Sequence, residues 1–114
     1  MKTEALCKLI LGEIDNGTLP FYRSVLLDEP LSAIRDPLWL AAATVARKLD
    51  GEGQEAILAL LRQAAIDASS TLLGAIDGNT SLDEEFIKVA LTAREGTQHN
   101  ADLQNEFLRQ VEEK

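Results

Sequence analysis

Gln54-Glu55-Ala56-Ile57-Leu58-Ala59-Leu60-Leu61-Arg62-Gln63-Ala64-Ala65-Ile66 opens the longest unbroken helical pattern in the chain. Ile57, Leu60, Leu61, Ala64, Ala68, Leu72 and Ile76 recur at three- and four-residue spacing, which predicts a helix over residues 54–76 with that face inward. Ser69-Ser70-Thr71 and Gly74 lower helix propensity, so packing must hold this end. Asp77-Gly78-Asn79 closes the segment as a turn, and Asp50-Gly51-Glu52-Gly53 precedes it as another.

Toward the N-terminus, Asp36-Pro37 pairs a capping carboxylate with proline at the first helical position. A helix over residues 37–49 follows, with Trp39, Ala42, Ala43, Ala46 and Leu49 on one face and Trp39 as its largest core group. Arg47 and Lys48 suit its C-terminal dipole. Pro20 opens a shorter segment in which Phe21, Val25 and Leu26 face inward, and Glu29-Pro30 stops it. The first helix spans residues 3–15, capped by Thr3, with Leu6, Leu9, Ile10 and Ile14 inward. Asn16-Gly17 ends it, with Gly17 in the left-handed conformation.

Toward the C-terminus the period changes to two. Ile87, Val89 and Leu91 alternate with Lys88, Ala90 and Thr92 as a strand, Glu95-Gly96 turns, and Thr97-Gln98-His99 returns. A last helix starts near Asn100 and faces inward through Leu103, Phe107, Leu108 and Val111. The expected fold is mostly α: a compact bundle of four to five helices with a small C-terminal β-hairpin, forming a single domain over residues 1–114. A chain of this size buries about two-thirds of its surface on folding, enough for a core without disulfides or metals. With aromatics at 4% of the chain, that core is aliphatic.

Charge bounds the function. Eleven basic and nineteen acidic residues leave a net charge of -8, most of it in residues 51–114. Such a chain is repelled by phosphate backbones and anionic lipid, so neither nucleic acid nor a membrane surface is the expected partner. A basic protein is. The single cysteine, Cys7, has no disulfide partner within the chain and reads as a buried thiol. Glu4 and Lys8 interrupt any leader-like apolar run, and Leu9-Ile10-Leu11 is too short to span a bilayer, so the expected location is cytoplasmic.

No metal, cofactor or catalytic set is expected, and the chain does not read as an enzyme. One histidine, His99, leaves no triad and no histidine-rich zinc site; it reads as a turn residue. A calcium loop beginning at Asp77 fails at its sixth position, Leu82 where glycine is needed, and at its twelfth, Lys88 where a bidentate glutamate is needed. The chain has no phosphate-binding glycine loop, no paired-cysteine motif and no nucleophile elbow.

The candidate partner-binding residues are a shared acidic surface of Asp77, Asp83, Glu84, Glu85, Glu95, Asp102 and Glu106, with Tyr22 and Arg23 as a separate contact patch. The expected function is stoichiometric binding of another protein, as an inhibitor or immunity-type factor in toxin neutralisation or phage-encoded anti-defence. The alternative is a structural or assembly subunit that self-associates, for example as a homodimer, through apolar helix faces or the hairpin edge. A carboxylate-dependent enzyme is the third reading.

Overall fold

The computed structural model describes residues 1–99 and 102–113. It is mostly helical, with one small antiparallel hairpin near the C-terminus, as the sequence patterning predicts. The backbone clusters into two compact units, residues 14–64 and residues 1–13 with 65–114.

Helix α1 (Thr3–Glu13) does not end at Asn16-Gly17. A π-helical turn, Ile14–Thr18, leads directly into α2 (Leu19–Arg23), and a second π-turn, Ser24–Asp28, follows. Thr18, with φ -64° and ψ -50°, is fully helical, and Gly17 is not among the residues with positive φ. Pro20 explains the departure. It lacks an N–H, and in a tight α-turn its ring collides with the carbonyl of residue 16; the wider π-turn gives that carbonyl room. The run closes where the Glu29 N–H donates to the Ser24 carbonyl at 2.9 Å, and Glu29 is extended, as Pro30 requires.

Asp36 caps α3 (Pro37–Ala46) as its sequence predicts, accepting from the Leu38 N–H at 2.9 Å and the Trp39 N–H at 3.2 Å. The helix stops at Ala46 rather than Leu49, tightening into three-residue turns at Lys48 and Leu49. Helix α4 (Gly51–Asp77) then starts earlier than expected, because Asp50 caps it, accepting from the Gly53 N–H at 2.7 Å. In the 14–64 unit Val25, Leu26, Ile34, Ala43, Ala46 and Leu58 form the core. Each larger aliphatic side chain there contributes about 1.5–3 kcal/mol.

The other unit is built on α1, the later part of α4, the hairpin and α5 (Leu103–Glu112). Cys7, Leu11, Ile66, Leu73, Ala75, Leu103 and Phe107 are its buried apolar residues. The expected inward faces of α1 and α4 are therefore rotated. In the first helix Leu9 is exposed and Cys7 and Leu11 are buried, while Ile14 is buried as expected and Leu6 and Ile10 are half-buried; on α4 Leu60 and Leu72 are exposed, while Leu58, Ile66, Ser70 and Leu73 are buried. Apolar residues surround α4 on nearly every side, so spacing alone does not select its inner face.

The C-terminus of α4 is a Schellman cap. The Asn79 N–H donates to the Gly74 carbonyl and the Gly78 N–H to the Ala75 carbonyl, both at 3.1 Å, with Gly78 at φ +84°. Strands β1 (Leu91–Thr92) and β2 (Gln98–His99) pair Leu91 with His99 and Thr92 with Gln98 around a loop in which Gly96 has φ +99°. Among the described residues, the expected strand over residues 86–92 pairs only through its last two residues; Phe86 and Val89 are exposed. His99 is buried on β2 rather than exposed in a turn, and its Nδ1 shares a hydrogen bond of 2.9 Å with the Thr3 hydroxyl; Thr3 is the first helical residue of α1 rather than its cap, since the Leu6 N–H donates to the Lys2 carbonyl. The expected cap at Asn100 lies outside the described residues. The Asp77 carboxylate caps α5, accepting from the Leu103 N–H at 3.1 Å and the Gln104 N–H at 2.9 Å.

Candidate functional site

A concave feature lies within the 14–64 unit. It is a groove of about 600 Å³ whose walls are α3 and the start of α4, with the helical run before them also contributing to its lining. Helix α3 contributes Leu38, Trp39, Ala42 and Val45, α4 contributes Ile57 and Leu61, and the preceding run contributes Tyr22 and Leu26. The lining is carbon almost throughout.

Local structure fixes the groove. Trp39 sits one turn into α3, where the Asp36 cap sets the helix start. Its ring meets Tyr22 edge-on at 5.0 Å and Phe21 edge-on at 5.7 Å, while Phe21 and Tyr22 lie 6.1 Å apart. Such pairs add about 0.5–1.5 kcal/mol beyond area burial. Trp39 is half-buried, packed against the core on one side and lining the groove on the other, so it is not the enclosed core group that the sequence suggests. At the far end Arg47 donates to the Leu26 carbonyl at 2.9 Å, the Val25 carbonyl at 3.2 Å and the Glu29 carbonyl. One guanidinium thereby satisfies the carbonyls left open at the end of the second π-turn and ties α3 to that run.

Two ion pairs brace the same unit. Arg62 on α4 donates to both Asp15 oxygens, at 2.6 and 3.3 Å, and the Asp15 carboxylate raises the Arg62 pKa. Arg23 makes a two-pronged pair with Glu55, 2.8 Å on each arm, holding Glu55 below the usual carboxylate range. This pair is exposed and adds little to stability.

Exposure distinguishes the groove from a sealed core. Leu38 is 75% exposed and Val45 61%, and Leu49 and Ile57 are also exposed. Helix α3 carries no charged side chain over its ten residues. Helix α4 is long and apolar enough to cross a membrane by length and composition, yet only 22% of its most apolar window is buried.

The acidic candidates have mixed roles. Asp77 is committed to capping α5. Glu106 pairs with Arg109 at 2.7 Å and is held below the usual carboxylate range, and Glu95 meets the Met1 ammonium. Asp102 and Glu106 share a shallow depression with Glu4, Asn105 and Arg109. Asp83, Glu84 and Glu85 are exposed; Asp83 and Glu84 form a two-residue turn at φ +47° and +68°, closed by paired hydrogen bonds between Leu82 and Glu85. Tyr22 and Arg23 belong to the 14–64 unit, whereas all the acidic candidates belong to the other. Leu38 and Val45 are not among the candidate binding residues of the sequence. Their signal is the absence of charge along Pro37–Ala46, which a surface helix seldom shows.

Among the described residues, no cluster of three or more metal-ligating side chains occurs. No family model matches the chain, and no curated protein or solved structure matches it.

Proposed function

We propose that the chain works without catalysis, by stoichiometric contact with protein, and that the α3–α4 groove is its contact surface. The carrying observation is the groove itself: an apolar concavity edged by exposed leucine and valine, with tryptophan and tyrosine in its lining. Aromatic side chains in apolar pockets are the usual anchors of protein interfaces, and exposed apolar patches of this kind mark such sites.

A second reading is carried by the exposed Asp83-Glu84-Glu85 turn. Here an inhibitor or immunity-type factor meets a basic protein through its acidic surface. Affinity capture from the source lysate separates the two, using the wild-type chain, Leu38→Glu, and a triple variant with Asp83, Glu84 and Glu85 changed to Lys. A bound protein, a second copy of the chain included, that is lost with Leu38→Glu and kept with the triple variant assigns the groove. The opposite pattern assigns the acidic turn.

A further inference from the structure

We infer that the occupant of the groove is the same face of a second copy of this chain, so that the protein forms a twofold-symmetric dimer through α3 and the first turns of α4. This rests on the groove being a protein-contact surface. Three observations select a second copy.

The first is shape. A twofold interface is self-complementary, so one patch must carry both the projections and the cavity that receives them. Leu38 and Val45 line the groove yet are 75% and 61% exposed, and Leu49 and Ile57 in the same lining are exposed as well. A cavity of about 600 Å³ accommodates aliphatic side chains of this size. Ala41 and Ala42 on α3 permit close helix–helix approach.

The second is area. A stable interface covers about 800 Å² on each partner, and a homodimer interface is about 65% apolar. Leu38, Val45, Leu49 and Ile57, all in the groove lining, together expose apolar surface on the order of 400 Å², which makes up most of that requirement.

The third is charge. Two copies of a chain at -8 repel one another, so they must meet where charge is least. Residues 14–64 hold five basic and seven acidic side chains, a net of -2, leaving -6 on the remainder. Helix α3 has no charged residue at all. A lipid surface fits less well, because Arg62 and Asp67 lie in the middle of α4 and Arg62 is held by Asp15.

Sedimentation equilibrium of the full chain tests the inference. The expected mass is twice the 12.4 kDa of one chain, falling on dilution. Val45→Glu places two unpaired charges at the interface and is expected to weaken association by about 100-fold or more. Leu38→Glu is the second variant, and Leu9→Glu, at an exposed position outside the 14–64 unit, should leave the dimer intact. Circular dichroism confirms that each variant is folded. A monomer at every concentration overturns the inference, as does a dimer indifferent to both groove variants. Flotation of the wild-type chain with phosphatidylcholine vesicles, lost in Val45→Glu, would also overturn it and assign the face to lipid. If the chain is monomeric, titrating a Leu/Lys amphipathic helical peptide against Trp39 emission separates the two levels: a response lost in Leu38→Glu keeps the protein-contact reading and removes only the second copy. No response removes both.

Discussion

Arg47 shows how one side chain sets the geometry of the groove. Its donors satisfy the Val25, Leu26 and Glu29 carbonyls, so Arg47→Met, which keeps the stem and removes the donors, should cost about 2–3 kcal/mol. The urea midpoint at fixed slope checks this, and a midpoint equal to wild type would show that water replaces the guanidinium without cost. Trp39→Ala should cost about 2 kcal/mol, below the 3–5 kcal/mol typical of an enclosed aromatic, because one side of the ring faces the groove. A loss above 4 kcal/mol would return Trp39 to the core. Cys7 supplies a pH prediction. Burial, with Glu106 and Asp77 adding to it, pushes its thiol up to about 11 from an ordinary 9.0. Between these values the unfolded thiol ionises while the folded one stays protonated, so the unfolded state binds fewer protons and stability falls as pH rises. The contribution is intact below pH 9 and is lost progressively up to about pH 11, amounting to roughly 2–3 kcal/mol. Urea unfolding across that range, wild type against Cys7→Ala, isolates it; equal slopes in the two would contradict it.

At the scale of elements, helix α5 begins where another helix tells it to. Asp77, at the end of α4, supplies the cap, and Gln104 donates back to the Ser70 carbonyl at 3.0 Å and to its hydroxyl at 3.2 Å. Asp77→Ala should cost about 1–2 kcal/mol and speed amide exchange at Leu103 and Gln104 ahead of the rest of α5. Gly74 permits this approach: a Cβ there would lie 2.3 Å from the Thr80 hydroxyl oxygen and 2.7 Å from the Gln104 amide nitrogen. Gly74→Ala, favourable in an isolated helix by about 1 kcal/mol, should therefore destabilise the protein. Much of this architecture was legible in the chain. The Asp36-Pro37 start, the Gly78 stop, the Gly96 turn and the existence of a late hairpin all rest on local chemistry, which acts within a few residues. What was not legible depends on distant partners. Leu58 and Leu60 both carry helical spacing, and only tertiary packing decides which turns inward. The Pro20 signal was present but ambiguous, since proline both starts helices and widens them. The acidic residues were legible as charge, whereas the capping role of Asp77 needed α5 beside it. The groove followed from the faces that remained uncovered.

For the whole molecule, the distribution of charge sorts the possible contacts. Association through a nearly neutral face between two acidic chains should strengthen as salt screens their mutual repulsion, whereas an acidic turn meeting a basic protein should weaken. Trp39 is the only tryptophan in the chain, so its emission reports on the groove alone. The most direct measurement is therefore Trp39 emission and its quenching by acrylamide during serial dilution of the wild-type chain. Closure of the groove on a second copy predicts blue-shifted, protected emission at high concentration, moving to red-shifted, quenchable emission on dilution, with Val45→Glu fixed in the latter state throughout. Emission and quenching that stay constant over the whole range, identical in wild type and Val45→Glu, would contradict it.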